Sequence, residues 1–176
     1  MRTITYGAAC SLDGFIADAA GGVDWLRHSN DANQIMRDYW RSIDTILMGR
    51  KTWEPAARYY QSGGDGTTGM KTYVFSRTLG PIDTKGVELI RDDAVTFVRD
   101  LKVRQGKGIC LMGGGELARA LFEADLVDEV GMNVQPVLLG AGVPMFHDPH
   151  HRVPLELKAT RPLDGGCIYS IYRVRH

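Results

Sequence analysis

The chain has 176 residues, of which 44% are hydrophobic and 24% charged, and its 21 basic and 21 acidic side chains cancel. That is about one domain, able to bury roughly 70% of the surface its unfolded chain exposes, and the balanced charge excludes the electrostatic footprint of a nucleic-acid or anionic-membrane binder. No apolar run approaches the roughly 20 residues that cross a bilayer.

The opening stretch is broken by Asp13 and Asp18 and alternates like a strand, which argues against a secretory leader. Cys10, Cys110 and Cys167 are odd in number, far apart and set in apolar contexts, so they read as reduced core thiols of a cytoplasmic protein.

In chain order, residues 2–10 read as a first strand. Ser29 or Asn30 caps a helix whose Ile35, Met36, Tyr39, Trp40 and Ile43 follow helical spacing. A short strand over 45–48 leads to a helix over about 51–59, whose start Pro55 restricts, and then to the Gly-rich loop SGGDGTTG. Strands follow at 71–76 and 87–90. Asp92 or Asp93 caps a helix bearing Val95, Val98 and Leu101, and the strand 108–112 feeds a helix over about 114–123. The strand 129–134 precedes QPVLLGAGVPMF, and LELKATRPL and CIYSIYRV flank Asp164-Gly165-Gly166, a hairpin signal. Strands alternating with helices and closed by a hairpin predict an α/β domain over 1–176, with a mostly parallel sheet and an antiparallel C-terminal edge.

The tripeptide LMG ends two strands, at 47–49 and 111–113. In open α/β sheets ligands bind beyond the carboxyl ends of strands, where helix N-termini offer free N–H groups. Gly113, Gly114 and Gly115 remove every Cβ from the second turn, which suits a pyrophosphate, although a plain strand-to-helix turn explains the same residues. The pattern is neither G-x-G-x-x-G, since position 118 is Ala, nor a Walker loop. At the first turn, Gly49 is followed by a guanidinium, an amine and a hydroxyl from Arg50, Lys51 and Thr52. Cations at a helix N-terminus oppose its dipole and call for an anionic partner. Ser76 and Arg77 repeat the hydroxyl–guanidinium pair at another strand exit.

SLDGFIA, ILMGRKTWE, VFSR, LMGGGEL and PVLLGAGVPMF, in that order, resemble the dihydrofolate reductase-like superfamily and within it the C-terminal reductase domain of the bacterial riboflavin-biosynthesis deaminase-reductase. The resemblance covers nearly the whole chain and implies a three-layer α/β/α fold, an NADPH site and a homodimer. It places Gly49, Arg50, Lys51 and Thr52 at the adenosine-phosphate and pyrophosphate groups, Ser76 and Arg77 around the 2′-phosphate, and Gly113, Gly114 and Gly115 with the following Glu116 and Leu117 over the pyrophosphate. It also sets Ile16 and Ala17 beside the nicotinamide and Asp13 near the substrate. Asp13, and after it Asp31 or Glu116, are the candidate catalytic groups that steer or supply a proton.

Two departures limit the likeness. Asp31 lies two residues too far from Gly49 for the first-helix carboxylate of dihydrofolate reductases, and Asn33 occupies that place. The H-x-E and P-C-x-x-C motifs of a deaminase are missing, which gives the expectation of a stand-alone reductase-like domain.

The implied activity is NADPH-dependent reduction of a small heterocycle or ribosylated pyrimidine-like compound, bound in a cleft between the two glycine turns. The alternatives are a noncatalytic NADP(H)-binding module, a nucleotide-phosphate binder and a true dihydrofolate reductase. His147, His150 and His151 read as a solvated loop with no metal.

Overall fold

The structure is a computed structural model that describes residues 1–61, 69–147 and 152–175. Most of SGGDGTTG, together with His150 and His151, lies outside the described residues. The elements are β1 (Ile4–Ser11), β2 (Phe15–Ala17), α1 (Asn30–Ser42), β3 (Ile43–Gly49), α2 (Arg50–Gln61), β4 (Lys71–Phe75), β5 (Val87–Ile90), α3 (Ala94–Val103), β6 (Gly108–Gly113), α4 (Gly115–Glu123), β7 (Glu129–Gln135), β8 (Val143–Pro144), β9 (Leu155–Pro162) and β10 (Ile168–Val174).

Eight strands form one sheet in the order β5-β4-β3-β6-β1-β7-β10-β9. The six from β5 to β7 run parallel, and β10 pairs antiparallel with both β7 and β9. Strands β2 and β8 make a separate two-stranded ribbon that sequence pattern did not foresee.

Side-chain alternation sets the layers. On β3, Leu47 faces a core with α3 and α4, while Ile46 and Met48 face Trp53, Ala56 and Tyr60 of α2 and Tyr39 and Trp40 of α1. The run ILM is therefore buried on both faces, as a central parallel strand requires. Ser29 caps α1 and Asp93 caps α3 through their side chains. Pro55 lies inside α2, one turn in, where its missing N–H leaves the Lys51 carbonyl without a helical partner.

Charged pairs secure the amino-terminal end of the sheet. Arg2 is buried against Asp44, Thr45 and the Lys107 carbonyl. Lys102 donates to Asp128 Oδ1 at 2.7 Å and to the Leu126 carbonyl at 2.8 Å. All three cysteines are buried and free.

Candidate active site

Strand β3 passes into α2 at Gly49, and β6 reaches α4 through Gly113 and Gly114. The two turns lie back to back. A Cβ on Gly114 would stand 2.9 Å from the Gly49 Cα, and one on Gly49 3.2 Å from the Gly114 Cα. Gly113 and Gly114 also have φ of 141° and 95°, which an L side chain resists. A Cβ on Gly113 would meet the Thr52 hydroxyl at 3.3 Å, and one on Gly115 would enter the His147 imidazole. Internal packing thus accounts for all three glycines. It also corrects the expected cleft between the turns, because their backbones touch.

What the turns leave available still fits a phosphate. No side chain caps α4, Lys51 and Arg77 are exposed, and Arg50 is half-exposed in a 2.7 Å pair with Glu54, a kind of contact that costs little to exchange. Ser76 Oγ accepts from the N–H groups of Leu79 at 3.0 Å and Thr78 at 3.3 Å, shaping the turn that carries Arg77. Arg91, which sequence reading missed, braces that turn by donating to the Leu79 carbonyl at 2.6 Å and the Arg77 carbonyl at 3.1 Å. Glu116 is exposed in the first turn of α4, where a negative charge suits the dipole. The Leu117 side chain packs in the core, so only its backbone faces the turn.

Asp13 clasps two loops. It accepts from Ser11 Oγ at 2.6 Å and from the Gly140 and Leu139 N–H groups at 2.8 and 3.2 Å, tying the β1–β2 turn to the segment after β7. The Ser11 bond first, and then the Gly140 bond, hold its carboxyl below the usual range. Asp31 has the same character: Ser29 first, and then the Asp164 N–H at 2.9 Å, depress its carboxyl and join α1 to the C-terminal hairpin. Carboxyls held as acceptors in this way are poor proton donors near neutrality. Ile16 is partly buried against the core, and the Ala17 carbonyl is where a Cβ on Gly142 would collide.

A cleft of about 290 Å³ lies elsewhere, between α1 and the β1–β7 pair. Its floor alternates Thr5, Gly7 and Ala9 of β1 with Gly131, Asn133 and Gln135 of β7, in register at Gly7↔Gly131 and Ala9↔Asn133. Its roof is the stripe Ala32, Ile35, Met36 and Tyr39, and α1 accordingly buries no residue fully. Leu26, Arg27, His28, Asn33, Leu163 and Tyr169 stand in its wall. Burial pushes the Tyr39 hydroxyl well above its ordinary value, and burial followed by the Glu129 charge raises that of Tyr169, so both stay protonated.

Sequence reading missed Asn133, Gln135, His28 and the two tyrosines. The available signal was a polar i, i+2 pair in a central strand, where Val130 and Val134 mark the buried face.

A mostly parallel eight-stranded sheet with an antiparallel C-terminal pair, flanked by helices on both faces, is a dihydrofolate reductase-like fold. A riboflavin-biosynthesis-type protein from Shewanella sp. PV-4 superposes with a TM-score of 0.85 at 23% identity, over 99% of this chain and 100% of that one. Dihydrofolate reductase from Enterococcus faecalis, in complex with NADP(H), superposes at 0.70 with 17% identity, over 99% and 97%. The RibD C-terminal domain profile matches residues 2–169. The uncharacterized protein YyaP of Bacillus subtilis is 36% identical, over 97% of this chain and 94% of its own length. The chain belongs to the RibD C-terminal domain family, a family of reductase domains.

Proposed function

We propose that this chain is an NADPH-dependent reductase of a small heterocyclic or ribosylated pyrimidine-like substrate, acting in the cytoplasm as a homodimer. The observation that carries the reading is the cleft beneath α1, which borders the same row of strand ends as the phosphate-suited turns. From β4 through β3, β6 and β1 to β7 is four strand steps, roughly 19 Å, a span for an elongated ligand.

Arg50, Lys51, Thr52, Ser76 and Arg77 hold the phosphates, and the backbone of Gly113 to Leu117 presents N–H groups to the pyrophosphate. The cofactor supplies a hydride when bound. The Ile16 and Ala17 backbone borders its reactive ring. Asp13 positions the loops around the substrate, and His28 and Tyr169 are the cleft groups able to hold a proton near it. The covered cleft excludes water and fixes the ring's orientation.

Calorimetric titration with NADPH, NADH and ATP in parallel tests the reading. NADPH binds more tightly than the other two, and Arg77→Ala narrows the NADPH/NADH ratio by about tenfold, the equivalent of 1.4 kcal/mol. Equal affinities for the three, or no binding of NADPH, defeats it. A sedimentation mass of one chain defeats the dimer.

A further inference from the structure

On the α4 side of the β1–β7 pair lies a second cleft, of about 470 Å³. That is the size of a small-molecule site. It is separate from the cleft beneath α1, because strand alternation sends Tyr6 and Val130 into this one and Thr5, Gly7 and Gly131 into the other. The sequence builds it from one stripe of α4. Gly115, Ala118, Arg119 and Phe122 follow at the three- and four-residue steps that share a helix face, and the small residues Gly115 and Ala118 leave room that larger ones would fill. The His147 imidazole takes part of that room at Gly115.

The interior is apolar. Tyr6 stands edge-to-face with Phe122 at 5.8 Å and with Phe146 at 5.7 Å, and Val130, Met145 and Val153 line the rest. The Tyr6 hydroxyl donates to the Met145 carbonyl, so its proton is already placed.

Charge enters through two arginines. Arg119 and Arg152 both line the cleft, and among the described residues no acidic side chain does. Arg119 meets Glu123 at 3.8 Å, too long for a hydrogen bond. Arg152 is exposed and has no ion pair among the described residues. The acids of the adjoining strands are engaged, Glu129 by Lys158 and Glu156 by Arg175 at 2.8 Å. The two guanidiniums and Glu123 thus leave one net positive charge beside an interior lined with rings.

We propose that this cleft is a second ligand site, for a small aromatic carboxylate. The ligand's ring lies against Phe122 and Phe146 in the edge-to-face or offset contacts that such rings prefer. Its carboxylate accepts from the Arg119 and Arg152 guanidiniums, whose planar forks of donors match a planar carboxylate. A singly charged head group balances the single net positive charge, which a phosphate dianion would overshoot. The site goes beyond the reductase reading and depends on neither the cofactor nor the α1 cleft.

The test titrates the full chain, without NADPH, with three probes of one shape: indole-3-acetate, the neutral indole-3-acetamide and the cationic tryptamine. The acetate binds about tenfold or more tighter than the amide, and tryptamine binds weakest. Arg119→Gln and Arg152→Gln each bring the acetate down towards the amide and leave the amide's affinity unchanged, which a variant that merely loosened the fold would not do. Phe146→Ala, at a ring that is 42% exposed, weakens all three probes by a similar factor. Met36→Ala, on the roof of the α1 cleft, alters none of them.

Equal affinity for acetate and amide, no binding of the acetate, or acetate binding that ignores both arginine variants overturns the proposal. A loss that follows Met36→Ala instead overturns it too, because the probe then occupies the α1 cleft.

Discussion

The two faces of the β1–β7 pair carry side chains of different kinds, large and apolar toward α4, small or polar toward α1. Toward α4, Ile4, Tyr6, Cys10 and Val130 join Leu117, Ala118 and Leu121 in one core cluster, edged by a second cleft at Tyr6, Ala118 and Phe122. Toward α1, the same strands present Thr5, Gly7, Ala9, Gly131, Asn133 and Gln135, and the helix above them buries nothing fully. Strand period two lets one backbone serve both ends: large apolar side chains on one face supply stability, and small or polar ones on the other leave space. An amphipathic helix held over small residues becomes a roof.

The largest effect that would sharpen this contrast lies on the α4 side. Leu121 is fully buried, and Leu121→Ala should cost about 2–5 kcal/mol in urea unfolding. Met36→Ala on the roof, where the side chain is 42% exposed, should cost less than about 1 kcal/mol. Comparable losses at the two positions would end the distinction between the two faces.

At the strand ends, Gly114→Ala forces a Cβ to within 2.9 Å of the Gly49 backbone at φ 95°. The dihedral alone should cost about 1–3 kcal/mol, and thermal melting would register it without any ligand. An unchanged melting temperature would return the glycine to a purely ligand-binding role.

The smallest effect concerns pH. Asp13 and Asp31 titrate lower in the folded chain than the ordinary carboxyl value of 3.8. The unfolded chain therefore takes up protons first as pH falls, and the stability these clasps add is present above that value and is lost as pH drops through the folded values. Asp13→Asn and Asp31→Asn should flatten the acid limb of stability measured by urea midpoints. An unaltered limb would show that the loops hold together without the charges.

Much of the fold was legible because its signals are local. Ser29 and Asp93 cap where their side chains predict, the ILM run is central because both neighbouring faces are apolar, and Asp164-Gly165-Gly166 turns the last hairpin. The site was less legible because one residue type answers to two causes. The glycines at 113–115 read as room for a ligand, yet Thr52, Gly49 and His147 each require one of them. Asp13 and Asp31 read as acids, but besides the nearby Ser11 and Ser29 they hold N–H groups more than a hundred positions away, at Gly140 and Asp164. Asn133 and Gln135 were visible as strand residues, and only the three-dimensional pairing with β1 and the roof of α1 reveals that their face opens into a cleft.

The contact between Gly49 and Gly114 has a bearing on descent with modification. At each position the obstacle to a side chain is the other's main chain. A clash between side chains can be repaired by trimming one of them, but no second substitution shortens a backbone. Gly49 and Gly114, more than sixty residues apart in the sequence, are thus expected to persist or fail together as the chain diverges, whatever becomes of the ligand beside them.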